Sequence, residues 1–229
     1  MRHTIVEFIA HETSFLYEQG FKPKSKRESK YFIKHISENM HYFIEIRTSF
    51  GISIELCFGV KMKNLNALLS DLNTPLLKDS FWLRTGFEEL LNPKSIDELG
   101  DDFRQFYFDA IAPFFEANNH LSGMFQTLRK VEGLPMGGDE NHTLGDTGIW
   151  LDLLLTRFYN PEELEERANF YKNELIKGIE EYIRIGHPDI DKSRINEVEQ
   201  EYQQFLNKMQ NLDVAKTKLD LGIEGDNEA

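Results

Sequence analysis

Cys57 is the only cysteine in 229 residues, which excludes an internal disulfide and any zinc site built on several thiolates of one chain. That scarcity suits a reducing compartment. The sequence also lacks any stretch approaching the roughly 18 consecutive apolar residues of a membrane span. Its first residues, MRHTIVEFIAHETSFL, are interrupted by Glu7, His11 and Glu12, where a secretory leader needs an unbroken apolar run. The expectation is a cytoplasmic protein that does not enter the membrane.

Positive charge is in short supply, with 26 Lys and Arg against 39 Asp and Glu, for a net charge of -13. Residues 1–62 hold seven acids against nine bases, residues 63–160 fifteen against eight, and residues 161–229 seventeen against nine. A chain so acidic over its last two thirds repels phosphate backbones, so nucleic acid and anionic membranes are not expected partners.

Assembled catalytic motifs are missing as well. No G-x-S-x-G elbow occurs, and Cys57 lies in a strand pattern beside Glu55, whose charge disfavours a thiolate. His11-Glu12 has no second histidine four residues on, and the seven histidines are scattered singly, so no metal site is expected. Asp97 with Asp101, and Glu98 with Asp102, share helix faces but read as a solvated first turn. No catalytic residue and no cofactor is assigned.

What is present is the composition of a folded protein: 40% hydrophobic, 28% charged and 12% aromatic residues, led by 18 Phe. Thr4-x-x-Glu7 is a capping box that opens a helix through Ile5, Phe8, Ile9, Phe15 and Leu16, with Gly20 as its stop. Three strand-like runs follow at Tyr31–Ile36, Tyr42–Phe50 and Ile52–Met62. In the third, Ile52, Ile54, Leu56, Phe58 and Val60 alternate with Ser53, Glu55, Cys57, Gly59 and Lys61. Links this short between strands require antiparallel pairing.

From residue 63 onward the pattern reads as helical, with a capped start at Ser95 and Glu98 and a kink or restart at Pro113 that carries Phe114 and Phe115 inward. Asn160-Pro161-Glu162-Glu163 is a second strong start, with an Asn cap, Pro at the first helical position and acids at the positive end of the dipole. The helix it opens and a final helix holding Ile195, Val198, Tyr202, Phe205 and Met209 form an expected antiparallel pair. The predicted fold class is α+β: an N-terminal helix packed on a three-stranded antiparallel meander, then a mostly helical C-terminal half. Residues 1–130 form the α+β domain, 131–148 a loop, 149–211 a helical extension and 212–229 a disordered acidic tail.

Two stretches are candidate binding elements. The loop GLPMGGDENHTLGDTG, residues 133–148, offers Asp139 and His142. Its Gly-Gly-Asp-Glu resembles a diguanylate-cyclase turn without the flanking strands. A calcium loop starting at Asp139 would have Leu144 where Gly is needed and Trp150 where the bidentate Glu is needed. The second stretch is the basic run Lys22, Lys24, Lys26, Arg27 and Lys30, which suits an acidic partner, a phosphate or the chain's own tail.

The order of a first helix, Gly20-Phe21-Lys22, strands ending in Leu56-Cys57-Phe58-Gly59-Val60, then Trp82 and Ile111-Ala112-Pro113-Phe114-Phe115-Glu116 resembles an uncharacterised bacterial domain-of-unknown-function family. The resemblance covers residues 4 to about 130. It implies an α+β domain with a helix-first meander and brings no active site. The functional expectation is a non-catalytic interaction protein of accessory or immunity type that meets a basic protein partner, with homodimerisation through the C-terminal helices as another mode. The alternative is a small-molecule or nucleotide-binding protein or enzyme with a pocket between the sheet and the Phe-rich helices.

Overall fold

The computed structural model describes residues 4–24, 30–49, 53–62, 64, 68, 81–90, 94–130, 147–186 and 192–221. Helix α1 (Ile5–Glu18) begins where the sequence predicts: Thr4 Oγ1 accepts from the Glu7 amide at 3.3 Å, and Glu7 Oε2 accepts from the Thr4 amide at 2.7 Å. The helix stops at Gly20, whose φ of 85° lies in the left-handed region that glycine adopts without a Cβ penalty. The amides of Gly20 and Phe21 close back on Tyr17 and Leu16, and this turn sends Phe21 into the core.

The sheet is antiparallel and its strands follow in sequence order: β1 (Lys22–Pro23), β2 (Tyr31–His35), β3 (Met40–Ser49), β4 (Ser53–Met62) and β5 (Phe81–Leu90). The predicted three-strand meander is therefore too small, and residues 63 onward are not all helical. A fourth full strand, β5, pairs with β4, and two residues of the basic link add β1 at the other edge. Leu83, Phe87 and Leu90 have the i, i+4, i+7 spacing of a helix face, and a register shift between Glu55 and Cys57 breaks the alternation along the β4–β5 pair.

The alternation of β4 places Ile54, Leu56, Phe58 and Val60 on one face, opposite Ile46, Ile44 and Tyr42 of β3. Against that face pack α1 and the segment comprising α2 (Ile96–Phe106), a π-helical turn (Tyr107–Ile111) and α3 (Ala112–Ala117). Rings fill the interface: Tyr42 stacks on Phe115 at 4.3 Å and donates its hydroxyl to the Phe115 carbonyl, while Phe58 meets Phe106, Phe114 and Phe115 edge-on. Pro113 has no amide to give, and the wider turn just before it restarts the helix with Phe115 buried and Phe114 half-buried. The other face of the sheet is not wet at its centre, since Phe43, Ser53 and Cys57 on it are buried and Tyr31 stacks on Phe43.

Helix α4 (Leu121–Arg129) leads to the C-terminal group: α5 (Thr147–Tyr159), a 3-10 turn (Pro161–Glu163), α6 (Leu164–Arg184), α7 (Ser193–Gln210) and α8 (Val214–Asp220). Asp152 of α5 meets Arg167 and Tyr171 of α6, while Trp150 meets Tyr202 and Arg157 reaches the Met209 carbonyl on α7. So α6 runs antiparallel to α5 and α7 returns alongside it, which makes α6 and α7 the expected antiparallel pair. Asn160 does not cap with its side chain. Its carbonyl accepts from the Glu163 amide at 3.1 Å, while its side-chain amide turns to the Glu163 carboxylate.

The predicted disordered tail needs correction over residues 214–220. Asp213 caps α8 by accepting from the Lys216 amide at 3.0 Å, and Thr217 and Leu221 are buried. The apolar cluster is continuous from Phe8 to Leu221, so the helical extension shares the core of the sheet. Asn64 Nδ2 donates to the Asp220 carbonyl at 2.9 Å and ties the segment after β4 to α8. Among the described residues no helix is long and apolar enough to cross a membrane.

Candidate functional site

Two polar networks are built into the helical layers. The first joins α1 to α2. Glu12 is fully buried, and Arg104 holds it with both Nε and Nη2, each 3.0 Å from a carboxylate oxygen. His11 Nδ1 lies 2.6 Å from Glu12 Oε1 and His11 Nε2 lies 3.0 Å from Asp97 Oδ1. Both ring nitrogens thus lie within hydrogen-bond reach of carboxylates. Asp101 adds a second contact to Arg104 at 3.5 Å.

Gly100 makes this close approach possible. A Cβ there would sit 2.4 Å from Glu12 Oε1 and 3.1 Å from His11. Asp97 and Asp101 are solvated as expected, with side chains 83% and 78% exposed, and they also lend contacts to the network, whose bonds between α1 and α2 join residues 86 to 92 apart in sequence. Its groups engage one another across the α1–α2 contact and join the two helices. Among the described residues no group of three His, Cys, Asp or Glu side chains could hold a metal ion.

The second network lies where α4, α5 and α6 meet. Asp152 is fully buried within an apolar helix; its Oδ2 accepts from Arg167 Nε and, at 2.7 Å, from the Tyr171 hydroxyl. Arg167 and Tyr171 are four residues apart and share one face of α6. Burial, then the Asp152 charge, pushes the Tyr171 phenol well above the ordinary tyrosine range against the lowering influence of Arg167 and Arg129. Arg129, at the end of α4, reaches Glu163 at 2.7 Å and lies 4.8 Å over the Phe125 ring, and its hydrogen bond holds the Glu163 carboxyl below its usual range.

This network differs from the first because it is incomplete. Asp152 Oδ1, Thr156 Oγ1 and Arg129 Nη2 are buried with no hydrogen-bond partner among the described residues. Sequence reading missed it, although a signal existed: one acid in the apolar run Ile149–Phe158, followed by Arg167 and Tyr171 at helical spacing.

Of the residues nominated from sequence, Lys22 and Lys24 are among the described residues. Lys22 on β1 and Lys24 just after it are exposed, and Lys24 Nζ lies 5.1 Å over the Tyr31 ring. Lys26, Arg27, Asp139 and His142 fall outside the described residues. On α6 and at its end Phe170, Tyr182 and Ile185 are exposed, as are Val6, Tyr17, Phe108 and Leu219 elsewhere. Comparison with known proteins found no matching family model, no matching curated protein and no matching solved structure.

Proposed function

We propose that the chain is a non-catalytic interaction protein that works through its C-terminal helices. The observation carrying this reading is the exposure of Phe170, Tyr182 and Ile185, at 43%, 49% and 60%, on helices belonging to the most acidic third of the chain. Large apolar side chains held in water beside carboxylates suit a partner that offers basic groups around an apolar seat. The first network supports the reading in a second way, since its carboxylates and histidine are consumed in holding α1 to α2.

The test is a binding assay with the full chain as bait beside a Tyr182→Asp/Ile185→Asp variant. A basic partner retained by the parent, released as salt rises and lost by the variant supports the reading. Retention unchanged at high salt removes the electrostatic part, and equal retention by the variant removes the surface. The alternative of self-association predicts a dimer in light scattering that the same variant converts to monomer. A binding site for a small molecule is a second reading, favoured by the unpartnered atoms around Asp152.

A further inference from the structure

His35 and His41 stand directly opposite each other at the end of the β2–β3 hairpin. Along this pair of strands the Ile46 amide donates to the Lys30 carbonyl at 2.9 Å, and the Ile36 amide donates to the Met40 carbonyl at 3.0 Å. Hydrogen-bonded and non-hydrogen-bonded pairs alternate in an antiparallel ladder, so His35 and His41, one step in from Ile36 and Met40, form a non-hydrogen-bonded pair. Side chains come closest at such positions. The two rings share one face of the sheet, with centroids 5.7 Å apart and planes tilted by 54°.

The turn beyond the pair is braced as well. The Ser37 amide also donates to the Met40 carbonyl at 3.1 Å, and the Met40 amide donates to Ser37 Oγ at 3.1 Å. The backbone therefore holds the two imidazoles together, and a ligand gains from that without ordering the chain itself. His35 is exposed and His41 half-buried, so the pair is open to solvent. Lys34, the cation beside His35, points to the opposite face, where its Nζ lies 5.9 Å over the Phe21 ring. Lys61 faces His41 from β4 and opposes positive charge there, whether on an ion or on a protonated ring. His41 has a further interaction beyond the ring contact, and an imidazole with one nitrogen engaged has its tautomer set and its other nitrogen left to serve as a ligand.

We propose that the His35–His41 pair chelates a divalent late-transition-metal cation of the Zn²⁺ type, each imidazole giving one nitrogen and water filling the remaining positions. Zinc–nitrogen bonds of about 2.0–2.1 Å place each ring centroid about 3.2 Å from a shared ion, and two tetrahedrally placed centroids about 5.2 Å apart. The observed separation is within about half an ångström of that, and rotation about the soft terminal torsion of histidine aims the nitrogens. Imidazole suits zinc and its neighbours, whereas Mg²⁺ and Ca²⁺ require oxygen ligands, so the pair discriminates between the two classes of cation. With two protein ligands in place of the three of a catalytic zinc centre, the site is an exchangeable one. It lies on the sheet, apart from the exposed side chains of α6, and stands or falls independently of them.

The test is calorimetric titration of the full chain with Zn²⁺, with Mg²⁺ as the hard-cation control. Zn²⁺ will bind saturably and raise the Tm, because the unfolded chain does not hold the two rings together, and Mg²⁺ will do neither. His35→Asn and His41→Asn will each weaken Zn²⁺ binding at least about tenfold while the circular dichroism stays that of the parent. Lowering the pH from about 7.5 to about 5 will release the ion, since protons compete for the same nitrogens. Footprinting with diethylpyrocarbonate, read by mass spectrometry, locates the ion: Zn²⁺ will protect His35 and His41 together. Absence of saturable Zn²⁺ binding, an equal affinity for Mg²⁺, an undiminished affinity in folded His35→Asn, or protection confined to other histidines would each overturn the proposal.

Discussion

Arg104 reaches from α2 to grip Glu12 of α1 through two parallel hydrogen bonds of 3.0 Å, and the carboxylate it grips has no exposure to solvent. The guanidinium is 37% exposed, so water can recover part of its hydration if the partner is lost. Replacing Glu12 with Ala is expected to cost about 3 kcal/mol, near the lower end for breaking a buried pair. The cost will be read as a fall in the urea midpoint at constant m value. Glu12→Gln, which keeps one acceptor for Arg104, is expected to cost less.

Gly100→Ala will destabilise, although alanine is the better helix former by roughly 1 kcal/mol. The added Cβ meets Glu12 Oε1 at 2.4 Å and the His11 ring at 3.1 Å, in a network whose members are fixed on both sides. Thermal denaturation decides the sign: a lower Tm supports the close approach, and a higher one refutes it.

Tyr107 is buried, and burial raises its phenol to about 12 from the ordinary 10.0. The folded state therefore favours the neutral phenol. Its contribution, about 3 kcal/mol at full extent, is present in full below pH 10 and is lost as the pH rises toward 12 and the unfolded chain ionises first. Spectrophotometric titration of the eight tyrosines will leave Tyr107 and Tyr171 un-ionised until the chain unfolds. Tyr107→Phe will flatten the alkaline loss of stability, and an unchanged slope would remove Tyr107 as its cause.

Trp150 sits 4.8 Å from the Tyr202 ring and 4.7 Å from Phe205, so its indole reports whether α7 is docked. Phe205→Ala in a Trp82→Phe background is expected to cost about 3–4 kcal/mol through the cavity it opens. Its fluorescence maximum will also move to the red as the indole gains solvent. An unshifted maximum would mean that α7 closes over the gap.

Much of this architecture was legible because local chemistry and the global fold agree. Thr4 with Glu7 and Ser95 with Glu98 form the capping boxes their spacing announces, and the period of two from Ile54 to Val60 gives both the strand and its buried face. Strand β5 was hidden because its apolar residues imitate a helix and its pairing slips at Glu55. Asp213 and the buried Thr217 rescue a short helix from a composition that reads as tail. The polar networks were not legible, since His11 finds Asp97 and Asp152 finds Arg167 only after helices distant in sequence are packed together. Which atoms around Asp152 are left unpartnered among the described residues depends on which donors and acceptors the packed helices have already used, which no residue spacing records.

Each strand of the sheet bonds to its neighbour in the chain, whereas α1 secures its place by gripping residues about ninety positions away. Closing hairpins costs little loop entropy and closing that long span costs more, so the sheet has the material for an early nucleus and α1 docks late. The two arms of a chevron plot will separate these events: disrupting the Glu12 clasp will speed unfolding and leave the refolding arm where it was.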